Sequence, residues 1–264
     1  MTAFRIGSIA ALALLLGFLA IPIVAIFVEA GPRELFDSLG REGSLEALWL
    51  SLRTSLVAIA LIVAVGTPAA YLLARRSFRG RAGVITLIEL PLVLPPAAAG
   101  IALLAAFGPA GLLGGAIEDA GVELVLQTAG VIVAMAFVSA PFYVRGAIAA
   151  FEAVDPDLLD ASRTLGAGDG RTFVRIAIPG ARAGLASGLA LAWGRALGEF
   201  GATLLFAGSL EGRTQTAPLA IFRFLATDFN ASLALSGVLV AFSAALLLGV
   251  KLLGGNPEVA RAAR

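Results

Sequence analysis

Four uncharged stretches of this chain are each long enough to cross a bilayer: Ile9–Val28 (20 residues), Thr54–Ala74 (21), Leu124–Val144 (21) and Phe229–Val250 (22). A helix needs roughly 20 apolar residues to traverse about 30 Å of hydrocarbon. Lipid offers no partner to backbone N–H and C=O groups, so such runs fold as helices that satisfy themselves. Composition points the same way, with 59% hydrophobic and 14% charged residues, against roughly 25% charged in soluble domains. The expected class is an all-α integral membrane protein.

Two further spans need more argument. Leu90–Ile117 is uncharged, with Glu89 just before it and Phe107-Gly108-Pro109-Ala110-Gly111 marking its end. Ala183–Leu210 is apolar except for Arg195 and Glu199. The reading is one membrane domain over residues 1–264, with spans at about 9–28, 50–74, 84–107, 124–148, 183–207 and 231–252 and one long loop at about 149–180. The first apolar stretch, at 20 residues, exceeds the 7–15 residues usual for a signal-peptide core, so it is read as a retained helix.

Six spans place both termini on one side, and the Lys and Arg count selects that side as cytoplasmic. Thirteen basic residues fall on the side of the termini, including Arg75, Arg76, Arg79, Arg81, Arg145, Arg163, Arg171, Arg175 and Arg182; five (Arg33, Arg41, Arg53, Arg213, Arg223) fall on the other.

Absences limit the chemistry. With no Cys and no His, the chain lacks the residues for a disulfide, an iron–sulfur cluster, a thiolate or imidazole zinc site or a His-ligated haem. Lys251 is the only lysine and follows Val250, so the Gly-Lys-Ser/Thr end of a phosphate loop is missing. ATP and Mg, if used, are bound by another polypeptide, and no cofactor is expected on this chain. A net charge of +1 offers no basic surface for nucleic acid.

Loops of such length are usually functional or structured. Asp155 followed by Pro156 is a helix start, and Gly166 a plausible stop. Between them Leu158, Ala161, Ser162 and Leu165 share one helical face. Asp169 is then placed to cap a second short helix carrying Phe173, Val174 and Ile176, ending before Pro179. Two readings fit: a helix resting on the membrane surface, or a helix–turn–helix docking into a cleft of a cytoplasmic partner, with Asp160 and Arg163 at the rim. Periodicity does not choose between them.

The segment Asp160-Ala161-Ser162-x3-Gly166-x9-Ile176-x-Ile178-Pro179 resembles the E-A-A-x3-G-x9-I-x-L-P signature of inner-membrane subunits of binding-protein-dependent ABC importers. It differs in Asp-Ala-Ser for Glu-Ala-Ala and in Ile178 for leucine. The resemblance implies a type I importer permease fold with N-in/C-in topology, and a coupling helix seated in a groove of an ATPase subunit. Asp160, Ala161, Ser162, Leu165 and Gly166 would carry that contact, with Ile176 and Pro179 completing the signature.

Arg195 and Glu199 lie four residues apart inside a span. Ionisable groups there are disfavoured by roughly 2.5–3.5 kcal/mol each and usually face protein or a water-filled cavity. The pair can neutralise itself on one helical face, and Gly194, Gly198 and Gly201 permit close helix approach. Either the pair only fixes packing, or it lines a route on which Arg195 offsets the charge of an anion while Glu199 holds the guanidinium. In the third span, Pro91, Pro95 and Pro96 remove donors and kink the helix; a structural kink is the default, and a hinge or pathway lining the alternative. Pro22 and Pro68 receive no role, and Arg213 and Arg223 are read as solvated charges rather than contacts with a binding protein.

The run Arg195-Ala-Leu-Gly-Glu199-Phe-Gly-Ala-Thr203, the segment Leu90–Leu104 and Gly212–Phe222 resemble the permeases for molybdate, tungstate and sulfate, with molybdate permeases nearest. That resemblance, over about residues 50 to 250, implies a pair of copies forming a twelve-helix pathway, a cytoplasmic ATPase dimer, an extracytoplasmic oxyanion-binding protein and alternating access. Arg195, Glu199, Thr203, Pro95 and Pro96 are the candidate pathway or gate residues. An intramembrane acid–base enzyme using Glu199 or Glu89 is the competing class, but it lacks a nucleophile–base set and metal ligands. A self-contained channel or secondary carrier is the third.

Overall fold

The computed structural model describes residues 2–41 and 43–253, and every described element is a helix. Five helices are long and apolar enough to cross a membrane, or six if one sharply bent pair counts as a span. The first, α1 (Thr2–Leu39), is apolar over Phe4–Gly31, loses helical geometry at Gly31 (φ 66°, ψ 155°), and packs chiefly on the last helix. The last helix is Phe229–Leu253. Part of the C-terminal tail of the sequence, with Arg261 and Arg264, lies outside the described residues.

The centre is built by α2 (Ser44–Arg75) and α6 (Thr128–Glu152), with the long helix that follows the loop against α6. That helix, α9 (Ile178–Leu197), meets α6 along a ladder of small residues. A methyl group on Gly180 would lie 3.3 Å from Val154, on Gly184 2.5 Å from the Ala150 Cβ and on Gly146 3.1 Å from the Gly188 Cα. Each rung advances four residues, so the helices run antiparallel with backbones nearly touching. Without a side chain at these positions, dispersion contacts accumulate where no hydrophobic driving force exists between helices in lipid.

The stretch expected as a third span over about 84–107 is two helices, α3 (Arg81–Val93) and α4 (Pro96–Phe107), at 117° to one another. A kink was expected; the break is complete. Pro95 and Pro96 stand side by side, and each proline drives its predecessor out of helical geometry: Leu94 has ψ 129° and Pro95 ψ 141°. Pro91, in contrast, is accommodated inside α3. Helix α3 buries no residue, whereas α4 buries Ala99, Gly100 and Leu103. A short α5 (Gly114–Asp119) follows.

The fifth span is also interrupted. Helix α9 stops at Leu197, Gly198–Phe200 leave helical geometry, and α10 (Gly201–Ala207) resumes. The external connection then carries α11 (Ala217–Leu225) before the last helix, α12.

The long loop is folded. It contains α7 (Pro156–Thr164) and α8 (Asp169–Thr172), and a π-helical turn over Phe173–Ala177 leads into α9. The second short helix does not end before Pro179; Pro179 lies in the first turn of α9, and the helix passes through it. The π turn shifts the hydrogen-bond register, with Ile178 N–H bonded to Phe173 O, and the missing proline donor is tolerated where one helix geometry gives way to another.

Candidate functional site

Two regions carry polar chemistry that packing alone does not require. At the end of the bundle rich in arginine, α7 begins where Asp155 Oδ1 accepts the Asp157 N–H at 2.9 Å, and Pro156 supplies the preset φ of the first turn. It ends in a Schellman cap: Gly166 (φ 82°) donates to Arg163 O and Ala167 to Ser162 O. Leu158, Ala161 and Leu165 of the predicted apolar row face solvent, with Leu165 88% exposed. Ser162 turns inward, its hydroxyl 2.6 Å from that of Thr172.

The inward anchor is Leu159, which the sequence pattern did not single out; it is buried in the core cluster that includes Tyr143, Phe151, Val154 and Ala177. Tyr71, Phe151 and Phe173 stack around this floor at ring separations of 4.8–6.0 Å, joining α2, α6 and the π turn. Ile176 packs half-buried on the same cluster. Two of the arginines counted for topology serve here as clamps. Arg75 donates to Phe151 O and Val154 O, both at 2.7 Å, and so satisfies carbonyls at the end of α6; Arg81 bonds Leu73 O and Glu152. Arg163 pairs with Asp160 at 3.0 Å and Asp169 at 3.4 Å, and the Asp160 hydrogen bond holds its guanidinium pKa above the usual value. Asp169 does not cap α8; the cap position is Gly168, and Asp169 is the first helical residue. The loop therefore presents an exposed apolar row on a firmly seated helix.

The second region is the break in the fifth span. Arg195 occupies the last turn of α9, with its side chain 28% exposed. Glu199 is fully buried in the break itself. Its Oε1 accepts the Ala202 N–H at 2.7 Å, and its Oε2 sits 2.6 Å from Arg195 Nη2, an ion pair whose angle falls short of a hydrogen bond. The expected pair forms, but not on a continuous helix: the same carboxylate satisfies one of the donors that α10 leaves free at its start.

The proline break lies against this one. A methyl on Gly201 would come 2.5 Å from Pro96 Cβ, and one on Gly100 2.7 Å from Leu205 Cβ and 3.0 Å from Ala202 O. Thus Pro96 and the Arg195–Glu199 break belong to one contact between α4 and α10; Pro95 is exposed at its edge. Thr203 is wholly buried, and its hydroxyl has no protein partner.

The exposed row of α7 and the charged break are separate places joined by α9. On the external side, Arg213 and Arg223 are not merely solvated, as expected from sequence. Arg213 donates twice to Gln127 Oε1, at 2.6 and 3.0 Å, while Arg223 pairs with Glu211 and lies 4.8 Å from the Phe224 ring centre. Glutamine partners carry no charge pattern to reveal them in a sequence. An external cleft lined by Phe107, Ile117, Glu118 and Glu123 presents carboxylates, the wrong charge for receiving an anion.

Comparison with known proteins gives this architecture a family. Residues 63–254 match the profile described as binding-protein-dependent transport system inner membrane component. The chain is 42% identical over 233 residues to "Molybdenum transport system permease protein ModB" of Mycobacterium bovis, covering 88% of each protein. It is 34% identical over 206 residues to "Sulfate transport system permease protein CysW" of Synechocystis, covering 77% of this chain and 75% of the relative. Among solved structures, a chain of the bacterial alginate ABC transporter in complex with alginate pentasaccharide-bound periplasmic protein shares the fold, with a TM-score of 0.70 at 18% identity over 96% of this chain and 91% of that one. Family profile, relatives and type I permease fold agree, and the chain belongs to the binding-protein-dependent transport system inner membrane components, as a multi-pass permease subunit of an ABC importer.

Proposed function

We propose that this permease moves molybdate across the inner membrane, with tungstate and sulfate or thiosulfate as the nearest alternative cargoes. The strongest support is the relative with a molybdenum-transport name at 42% identity over 88% of both chains; the sulfate relative at 34% identity keeps sulfate as the alternative. In this reading two copies pair, an extracytoplasmic protein delivers the oxyanion, and the ATP and Mg chemistry belongs to an ATPase dimer on the arginine-rich side. The permease is not itself an enzyme.

The exposed row of Leu158, Ala161 and Leu165 on an anchored α7 supports its role as the coupling helix. A row left in water by a helix whose other face is secured by Leu159 suits a groove in a partner. Asp160, Ser162 and Gly166 shape that helix, and Ile176 and Pro179 tie it to α9, so movement of α7 is delivered to the span that carries Arg195. Arg195, with one side open, is the group that meets the anion, and Glu199 orients it; Thr203, Pro95 and Pro96 border the gate.

Co-purification with the ATPase and uptake in proteoliposomes test this. Ala161→Trp is expected to abolish ATPase co-purification or to uncouple ATP hydrolysis from uptake; wild-type coupling in that variant rules out the docking role. Arg195→Ala is expected to reduce oxyanion uptake more than complex yield, whereas normal uptake leaves the pair a packing device only. Binding of molybdate, tungstate and sulfate to the delivery protein separates the cargoes.

A further inference from the structure

Among the described residues six buried side-chain polar atoms lack a hydrogen-bond partner in the protein, and three of them, Ser139 Oγ, Thr203 Oγ1 and Glu199 Oε2, belong to α6, α10 and the break before α10. An unsatisfied hydroxyl in a low-dielectric interior is disfavoured and calls for an explanation. Buried hydroxyls deep in α2 are satisfied, Thr54 on Leu50 O and Thr67 on Val63 O and Tyr143, whereas Ser44 and Thr216, which also lack a partner, stand at helix starts.

The ladder between α6 and α9 places these groups. Its rungs, Val154–Gly180, Ala150–Gly184 and Gly146–Gly188, advance four residues at a time. Carried on at the same step, it reaches Phe142–Ala192 and Val138–Ala196, so Ser139 and Arg195 each stand one residue from the same rung. By the 3.6-residue period Ser139 shares a face of α6 with Tyr143 and Gly146, where Gly146 meets Gly188 of α9 and the Tyr143 hydroxyl meets Thr67 of α2. Glu199 follows Arg195 by one turn, and Thr203 is in the first turns of α10. Extended in this way, the ladder brings the Ser139 hydroxyl near the layer of Arg195, which Glu199 grips, and Thr203 follows Glu199 by four residues across the break. The same helices carry an apolar cluster of Ala58, Val131, Met135, Ala196 and Ala207.

We propose that Ser139 and Thr203 are oxyanion ligands that act together with Arg195 during passage, donating hydrogen bonds to a tetrahedral oxyanion when α10 moves off α6. The inference rests on the reading that this permease carries such an anion. In the conformation described the layer is closed, and Glu199 takes the place of the anion on the guanidinium. Opening exposes the two donors and gives the guanidinium a second acceptor. A tetrahedral oxyanion offers four acceptor oxygens and no donor when doubly ionised, so a donor-only set of one guanidinium and two hydroxyls matches it. Glu199 stays behind as the positioning residue, because it already satisfies the Ala202 N–H and its charge repels the anion.

The test is uptake of tracer molybdate and sulfate by proteoliposomes holding the complete transporter with its ATPase and delivery protein, expressed per ATP hydrolysed. Thr203→Val keeps the volume and removes the donor; Thr203→Ser keeps the donor and removes a methyl group. Expected are a roughly tenfold loss of uptake per ATP in Thr203→Val and in Ser139→Ala, the scale for losing a hydrogen bond to a charged group, and near-normal uptake in Thr203→Ser. The reverse order for the two Thr203 variants, or wild-type ratios in Thr203→Val and Ser139→Ala, overturns the proposal and leaves the hydroxyls as packing groups or hosts of a structural water. If the wild-type complex takes up none of the oxyanions, the reading of its cargo fails; if it transports them and the variants match it, the ligand assignment alone fails.

Discussion

Two spans of this permease are broken, and they are broken by opposite means. Between α3 and α4 the interruption is made by subtraction: Pro95 and Pro96 remove donors and force Leu94 and Pro95 into extended geometry, with no charge nearby in sequence after Glu89. Between α9 and α10 it is made by addition: a buried glutamate supplies an acceptor to Ala202 N–H and a counter-charge to Arg195. The first break needs nothing from the rest of the molecule to exist. The second is held by a side chain that accepts from Ala202 and pairs with Arg195, so it is the one that a ligand or a movement can alter. Since the breaks touch through Gly201 and Pro96, a change at the second is passed to the first.

The largest expected effect comes from dismantling the second break. Glu199→Ala removes the Ala202 acceptor and leaves Arg195 unpaired; for a buried pair the loss of one partner is about 3–5 kcal/mol, and the exposed side of Arg195 places this case at or below about 3 kcal/mol. Glu199→Gln keeps an acceptor for Ala202 and should fall between wild type and Glu199→Ala. Thermal unfolding of the purified complex gives this ranking. Equal midpoints for Gln and Ala would show that the capping bond contributes nothing and that both breaks are sustained by backbone alone.

Next is the contact between the breaks. Gly201→Ala places a methyl group 2.5 Å from Pro96 Cβ, an overpacking expected to destabilise by about 1–3 kcal/mol. Lowered yield and thermal midpoint are the readouts. Because α4 must back away, the same variant is expected to alter coupling between ATP hydrolysis and uptake, whereas an equally destabilising change far from the contact is not. If both changes act alike, the breaks are independent.

The two breaks also differ in how readable they were. Adjacent prolines announce a backbone interruption in any sequence, although only the structure shows a complete turn of 117°. Arg195 and Glu199 were legible as a pair through their spacing of four, but a helical spacing implies a continuous helix, and it was the capping of Ala202 that could not be read. The long loop was legible at the ends of α7, Asp155-Pro156 and Gly166, because caps are local chemistry. Its anchor Leu159 and the Tyr71–Phe151–Phe173 stack were not, since they join residues far apart in sequence. Ser139 gave no signal, because a serine in a span is ordinary until its hydroxyl proves to lack a partner. Pro179 misled, as a π turn can absorb a proline that would otherwise end a helix.

A smaller effect probes α7, the helix proposed to dock on the ATPase, which, unlike either break, is held by local caps. Gly166 has φ 82° and open space around it, so Gly166→Ala tests backbone conformation without a clash; a loss of about 1 kcal/mol is expected. Weaker retention of the ATPase on an affinity column at unchanged permease yield is the readout. Unaltered retention would mean that the docked row tolerates a frayed α7.

The smallest effect contrasts the buried ion pair with one in water. Arg41 and Asp228 are 2.5 Å apart at the external edge, with side chains about 40% exposed, and Asp228 also accepts the Ala231 N–H. The Arg41 hydrogen bond, then that from Ala231, holds the Asp228 pKa below the usual value of 3.8. A carboxylate lowered in the folded state stabilises fully above its unfolded pKa, and the contribution disappears as pH falls through the folded pKa. Around neutral pH, titration of this pair therefore leaves stability flat, and only strongly acidic solution weakens it. Asp228→Asn should lose that acid-side dependence with little change at neutrality, and added salt should erase much of the difference, since exposed pairs are screened. The Glu199 variants should keep their ranking in the same salt. If salt instead levels the Glu199→Gln and Glu199→Ala midpoints as it does those of Asp228, the carboxylate in the break is reached by solvent ions and is not the enclosed clamp that distinguishes this interruption from the proline one.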